Sequence, residues 1–309
     1  MSVMRKVLLA MSTSTFLREQ ATKRSFVRKS VSAFMPGEKL EDALAAAATL
    51  KPQRINTILT RLGEGVTRLD EAERVTQHYL DALDTIKAAG LDAQISVKPT
   101  QLGLDLDAEQ CQRNLDRICE KGERLGNVPV WIDMENSPYV DPTLTLYRKS
   151  KERYKGVGIA IQAYLYRSAK DIESLIPLGP AVRIVKGAYL EPADVAYPKK
   201  SDVDENFYTL CCRLMAEDAQ KTGTLLHIAT HDTALTDRLL KYIDENRVPS
   251  SAYEFAMLYG IQRNQQLRLA QGGRRVRVLI SYGDYWFPWY MRRLAERPAN
   301  VWFVLKNLK

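Results

Sequence analysis

Near the C-terminus the stretch YMRRLAERPAN brings Arg292, Arg293 and Glu296 within one helical turn, with Arg293 and Glu296 at i and i+3. Two guanidiniums and a carboxylate so spaced can grip both ends of an amino acid, because arginine offers a planar fork matched to a carboxylate and the acid answers an ammonium. The same triplet also makes an ion-paired face on an exposed helix, so its surroundings have to choose. Asp133, in WIDMEN, is a lone carboxylate closing an apolar run, where burial forces it to pair with a cation; Lys98, closing AQISVKP, is the natural partner. In HIATH, His227 and His231 lack the glutamate of a zinc-binding helix. On a strand the two imidazoles would share a face about 13 Å apart at ~3.3 Å per residue, too far for one metal. No metal is therefore expected, and His231 reads as a polar strand-end group that contacts a ligand. The chain has no GxGxxG or Walker pattern, so a nucleotide would be held by loop amides, helix N-termini and nearby cations rather than by a Rossmann turn or P-loop.

These groups need elements to carry them. From residue 55 onward short apolar runs bounded by Gly or Pro alternate with helical patterns, the βαβ signature. The runs are INTILTRLG, AQISVKP, VPVWIDME, GIAIQAYLY, AVRIVKG, LLHIATHD, AYEFAMLYG and VRVLISYG. The helical patterns include LDEAERVTQHYLDALDTIKAAG, AEQCQRNLDRICEKGERLG and ENFYTLCCRLMAEDAQKTG, the last two ending at a glycine suited to a helix terminus. Eight such strands fit a closed (β/α)8 barrel of the α/β class better than an open, doubly wound sheet. Barrels place their chemistry at the C-terminal ends of strands. Lys98, Asp133, Gln162, Lys186, Thr230 and His231 all stand there. Ahead of the barrel, Phe16 to Ser30 reads as a basic amphipathic helix and Leu40 to Leu50 as an alanine-rich one, separated by the linker MPG. The expected division is a helical segment over 1–52 and a catalytic barrel over 53–309.

Bulk properties set the outer limits. The chain of 309 residues is 45% hydrophobic and 27% charged, ordinary for a protein with one full core. A net charge of +8 favours anionic partners in general. Its dense basic stretches, Lys23 to Lys29 and Gly272 to Arg277, lie far apart and read as solvated faces, so no nucleic-acid partner is expected. Cys111, Cys119, Cys211 and Cys212 show no CxxC spacing and read as reduced core thiols of a cytoplasmic protein. The first residues hold an apolar run too short for a signal peptide, and nothing approaches a transmembrane span. The basic helix Phe16 to Ser30 combines charge with apolar residues, a pattern compatible with peripheral attachment to acidic lipid on the inner face of the membrane as well as with packing on the barrel.

In order along the chain, SVKPTQLG, WIDMEN, QAYLYR, RIVKGAYLE, IATHD, EFAMLYG and WYMRRLAERPAN resemble the motif series of proline dehydrogenase, the monofunctional bacterial type. The resemblance runs from about residue 55 to the end. It implies a distorted (β/α)8 barrel with extra N-terminal helices, binding FAD without a covalent bond and oxidising L-proline to 1-pyrroline-5-carboxylate, with electrons passed to membrane quinone. Carried over residue by residue, it implies that Arg292, Arg293 and Lys98 bind the substrate carboxylate, that Glu296 faces its nitrogen and that Asp133 holds Lys98. Met134, Gln162, Arg183, Lys186, Gly187, Ala188, Thr230 and His231 match flavin-contacting positions, and Tyr189 and Leu258 match the substrate pocket. Glu64, in RLGEG, matches a carboxylate that pairs with the first arginine and gates the site.

The chain departs from the family pattern around the substrate ring. Leu279, in VLISYG, and Trp289 stand where relatives commonly carry tyrosines, Ala256 stands where many have glutamine, and Pro99 follows the pocket lysine. These changes remove hydroxyls and leave the carboxylate clamp intact. Two alternatives accordingly stay open beside proline oxidation: the same flavin chemistry on another amino acid, such as hydroxyproline, a modified proline or a linear amine, and a non-catalytic barrel kept as a binding module.

Overall fold

Eight parallel strands close into a barrel in the computed structural model, which describes residues 31–63 and 65–296. They are β1 (Ile55–Arg61), β2 (Ala93–Val97), β3 (Val130–Ile132), β4 (Val157–Gln162), β5 (Ala181–Val185), β6 (Leu225–Ala229), β7 (Tyr253–Leu258) and β8 (Val276–Tyr282). Each pairs with the next, and β8 returns to β1 with Ile55 opposite Val276 and Arg61 opposite Tyr282. Seven strands fall inside the apolar runs of the sequence, and β4 starts one residue ahead of its run, at Val157.

Helix α1 (Leu40–Leu50) precedes the barrel; α2 (Leu69–Ala88), α3 (Ala108–Arg124), α4 (Val140–Lys151) and α5 (Ser168–Leu175) follow the first four strands. Asp107 starts α3 by accepting the backbone N–H groups of Glu109 and Gln110, which would otherwise be orphaned at the helix end. The pattern expected as one helix ending at Gly223 is two, α6 (Lys200–Leu214) and α7 (Glu217–Lys221). Ala216 is extended between them, and the Gln220 side chain donates to the carbonyl of Met215, satisfying an acceptor freed by the break. Helix α8 (Thr233–Glu245) and α9 (Arg263–Gln271) follow β6 and β7.

The barrel is distorted at its eighth helix. Helix α1 packs against β8 and β1, in the place that a helix returning from β8 would fill. The helix that does follow β8, α10 (Trp286–Glu296), instead packs Trp286, Phe287, Trp289, Tyr290 and Met291 onto Val31, Met35 and Leu62, the residue just beyond β1. Gly260, just beyond β7, lies under the same 31–35 segment: a Cβ there would come 1.7 Å from the Ala33 carbonyl oxygen, so only glycine fits. Helix α10 and the 31–35 segment thus meet at the C-terminal mouth. The basic helix expected over Phe16 to Ser30 lies outside the described residues. Among the described residues no helix is long and apolar enough to cross a membrane.

Alternation along the strands separates two environments. One set of side chains, including Ile95, Ile132, Ile159, Ile184, Ile228 and Ile280, forms the apolar core between strands and helices. The other set points into the barrel and is largely polar: Gln94, Ser96, Trp131, Arg183, His227, Glu254 and Arg277. Cross-barrel contacts fix this orientation, since the Trp131 ring on β3 lies 4.2 Å from His227 on β6, and Arg183 on β5 donates to Ser96 on β2 at 3.0 Å. Barrel interiors are ordinarily filled by branched apolar residues; here that role has moved to the outer layer.

Charges so enclosed have to be paired. At the N-terminal end Arg277 donates through Nε to Glu254 at 2.9 Å and through Nη1 to the Thr57 carbonyl at 3.0 Å and Asp92 Oδ1 at 2.9 Å. Burial by itself would raise the pKa of Glu254, but His227 and Arg277 outweigh it and hold the carboxyl down at about 2. His227, 3.1 Å from Glu254, is pushed down to about 4 chiefly by burial, so its ring is neutral near pH 7.

A histidine kept neutral by folding favours the native state above its unfolded pKa of 6.5, and that contribution is lost as pH falls through about 4. The urea midpoint is therefore expected to drop between pH 7 and pH 4, and to drop less in His227→Gln; equal falls would contradict the assignment.

Candidate active site

The mouth is built at the ends of β2 to β7. Lys98 follows β2 in an extended conformation (φ −105°, ψ 131°) ahead of a turn beginning at Pro99. A residue before proline is held out of the helical region, so Pro99 fixes the direction in which the chain leaves the strand at Lys98. Asp133 follows β3, its N–H donating to the Val97 carbonyl at 2.8 Å. Its Oδ1 accepts from Ser96 Oγ at 2.8 Å and from Arg183 Nη2, while Oδ2 lies 4.0 Å from Lys98 Nζ.

Sequence alone pairs Asp133 with Lys98; the structure gives the closer place to Arg183. The reason is burial. Arg183 is only 4% exposed, and a guanidinium cannot shed its charge, so the adjacent carboxylate must neutralise it. Burial pushes the Arg183 pKa down and Asp133 acts against it. The guanidinium also lies over the Trp131 ring, 5.2 Å from its centroid. Its Nη1 is buried with no hydrogen-bond partner among the described residues.

Neighbouring strand ends are laced together. Gln162, ending β4, donates its side-chain N–H to the Glu135 carbonyl at 2.7 Å. The Glu135 carboxylate accepts from Thr100 N at 3.1 Å and Thr100 Oγ1 at 2.8 Å, and burial raises its pKa. Glu191 accepts from Ser137 N at 2.7 Å and Ser137 Oγ at 2.6 Å, tying the loop after β3 to the one after β5 that carries Ala188 and Tyr189. Gly187 in that loop has φ 119°, and a Cβ would come 2.4 Å from the Tyr164 ring, so a side chain is excluded on both counts.

Lys186 reaches Asp204 on α6 at 2.6 Å and Asp232 at 2.9 Å, with Lys200 pairing to the same two acids. Burial opposes the charge on Asp232, yet the two lysines outweigh it and hold its carboxyl far below the usual range. Asp232 also accepts from Leu235 N, capping α8. Thr230 Oγ1 accepts from Asp232 N at 3.1 Å, and His231 Nε2 accepts from Leu258 N at 2.8 Å, which places the ring proton on Nδ1 in the neutral form.

The structure thus brings Lys98, Asp133 and Arg183 into one cluster and sets Gln162, Lys186, Gly187, Ala188, Tyr189, Thr230 and His231 around the same rim. Met134 packs its side chain into the apolar core, leaving its main chain at the rim. Leu258 and Leu279 are half-buried neighbours on β7 and β8, and Leu279 is opposite Ile58 on β1, giving that side an apolar wall. Trp289 is buried on α10. Arg292, Arg293 and Glu296 occupy the same helix three, four and seven residues later, positions that share a face with Trp289. Glu64 lies outside the described residues. Strand-end position also marks Glu135, which closes the third run; sequence reading missed Ser96, Trp131 and the acids Asp204 and Asp232, and for the first two the signal was present as polar or indole groups at alternate positions of AQISV and VWID. Among the described residues no group of three or more His, Cys, Asp or Glu is placed to hold a metal.

Residues 43–306 match a family model described as proline dehydrogenase. Proline dehydrogenase 1 of Bacillus subtilis subsp. natto is 37% identical over 306 residues, covering 99% of both chains. Proline dehydrogenase of Deinococcus radiodurans is 36% identical over 280 residues, covering 89% of this chain and 88% of its own. Among solved structures, proline utilization A from Bdellovibrio bacteriovorus, inactivated by N-propargylglycine, superposes with a TM-score of 0.80 at 23% identity and shares the fold. That alignment covers 87% of this chain and 32% of the longer protein.

Removing the carboxylate charge that faces Arg183 leaves a buried cation uncompensated. Asp133→Asn is expected to lower unfolding free energy by about 3–5 kcal/mol, read from the urea midpoint at constant slope; a loss under about 1 kcal/mol would show that Arg183 is neutralised elsewhere.

Proposed function

The chain belongs to the proline dehydrogenase family, and from that premise we propose that it oxidises L-proline to 1-pyrroline-5-carboxylate with non-covalent FAD at the C-terminal mouth of the barrel, passing the electrons to a quinone. It is an oxidoreductase acting on proline. The observation that carries the cofactor reading is Arg183 Nη1, a charged donor buried at the mouth without a partner among the described residues. Buried donors are satisfied in native proteins, and an acceptor-rich flavin ring meets the need. Gln162, Lys186, Thr230 and His231, with the main chain of Met134, Gly187 and Ala188, complete a set of polar groups suited to that ligand. FAD, when bound, supplies the acceptor for the hydride that leaves the proline ring carbon beside nitrogen.

The chain's own part is positioning. Arg292, Arg293 and Lys98 bind the carboxylate, with Asp133 holding Lys98 in reach. Glu296 faces the nitrogen, which must be a neutral amine before hydride leaves. Tyr189, Leu258, Leu279 and Trp289 enclose the ring and exclude water from it. Glu64 pairs with Arg292 and gates entry. The basic helix Phe16 to Ser30 would bring the enzyme to the inner face of the membrane, where a lipid quinone is found.

A second reading, oxidation of a different amino acid, is favoured by Leu279 and Trp289 standing where relatives commonly carry tyrosines, which leaves an apolar wall of Ile58, Leu258 and Leu279 on that side. The same wall argues against hydroxyproline, since it would strip water from the hydroxyl without replacing its hydrogen bonds. Dye-coupled turnover with trapping of the imine product is expected to rank L-proline first among cyclic and linear amino acids, with 4-hydroxyproline lower by roughly 10- to 100-fold in kcat/KM; another amino acid outranking proline would overturn the substrate. Lys98→Met should lower kcat/KM for proline by about 10- to 100-fold, the worth of one charge-assisted contact, while leaving pyrrolidine, which has no carboxylate, nearly unchanged. Equal losses on both would remove Lys98 from the clamp.

A further inference from the structure

Beneath the mouth, the indole of Trp131 is fixed from several sides. Its Nε1–H donates to Gln94 Oε1 at 2.6 Å, and its ring lies 4.2 Å from the His227 ring at an interplanar angle of 37°. The next strand makes room for it with Gly158, where a Cβ would come 2.5 Å from the indole. His227 is itself held 3.1 Å from Glu254, which Arg277 secures to the closed end of the barrel. Arg183 and His227 are register partners on β5 and β6, so the indole reaching across from β3 meets both.

The stack has a directional consequence for Arg183. Its guanidinium is planar and forked, so fixing one arm and one face fixes the remaining arm. Nη2 is tied to Asp133 and Ser96, the indole lies against the group, and Nη1 is left as the buried nitrogen with no described partner. A methylene-rich filler in place of the indole would keep the salt link to Asp133 and lose this orientation.

We propose that Trp131, supported by His227, is a positioning residue that sets the guanidinium of Arg183 so that Nη1 donates to the ring system of the bound flavin and stabilises the negative charge placed there by reduction. This rests on the FAD reading above. Trp131 acts through Arg183 and touches neither substrate nor cofactor. Pre-oriented donors contribute most where charge develops, because they need no reorganisation at that moment.

The test uses the FAD-loaded full chain with Trp131→Leu, Arg183→Lys and the double variant, each checked for folding by its unfolding midpoint. The flavin midpoint potential is the readout that a purely structural role would leave in place. Trp131→Leu is expected to shift the oxidised-to-reduced ratio at fixed potential at least tenfold toward oxidised flavin, about 30 mV for a two-electron couple. Arg183→Lys should shift it in the same direction, and the double variant no further than Arg183→Lys alone, since both act through one donor. If Trp131→Leu does not fold, Trp131→Phe, which keeps an aromatic face and loses the bond to Gln94, should give a smaller shift in the same direction. A potential unchanged in the folded Trp131 variant, or shifts that add in the double variant, would overturn the inference. A wild-type chain that binds no flavin at all would instead overturn the FAD reading itself.

Discussion

The guanidinium of Arg183 stands inside the barrel with almost no access to water, and its neutralisation sets the layout of everything around it. An uncompensated charge there costs about 3–5 kcal/mol, a large share of the roughly 5–15 kcal/mol by which domains are stable. Asp133 supplies the countercharge from just beyond β3, Ser96 a hydrogen bond from β2, and Trp131 an aromatic face. Because the partners come from different strands, a slip of one residue in any of them would turn its side chain to the helical layer and leave the cation stranded. The pair therefore enforces barrel register. It does not supply the bulk of the stability, since a buried ion pair roughly balances its own desolvation. That comes from the layer between strands and helices, where isoleucines and valines from nearly every strand are buried together.

The same economy recurs at the closed end, where Glu254 lies between Arg277 and His227. Trp131 separates the two charged groups and fills the middle of the barrel. The outcome is a polar axis, closed at one end by Arg277 and open at the other toward Lys98, surrounded by an apolar sleeve. Displacement of α10 from the outer ring to the mouth follows the same plan: α1 takes the vacated place beside β8 and β1, and the helix carrying Trp289, Arg292, Arg293 and Glu296 becomes available to cover the open end.

All eight strands were legible because each carries mainly apolar outward residues at a period of two, branched in most strands and Tyr253, Phe255 and Met257 in β7, and turn residues bound the runs. Helix α1 was legible down to its limits, Leu40 and Leu50. The break at Ala216 was not, since nothing in the sequence there is a helix breaker; tertiary packing of the buried Met215 and the Gln220 bond decide it. Among site residues, strand-end position and motif resemblance drew Lys98, Asp133, Gln162, Lys186 and His231 to one rim. Partner choice was less legible. Lys98 is close to Asp133 along the strand ends and is the cation that local sequence offers, whereas Arg183 meets that carboxylate only across the barrel, a relation no local pattern encodes. Asp204 and Asp232, which hold Lys186, come from α6 and the start of α8 and are likewise brought together only by closure of the barrel.

A buried arginine with one nitrogen lacking a partner among the described residues supports the proposal that the mouth takes a redox ligand together with an amino acid. Anaerobic visible spectroscopy of the purified full chain tests that pairing most directly. The expected result is a yellow protein with close to one FAD per chain whose flavin absorbance bleaches on addition of L-proline, with 1-pyrroline-5-carboxylate formed in equal amount. A colourless protein, or bound flavin that keeps its absorbance at saturating proline, would contradict it.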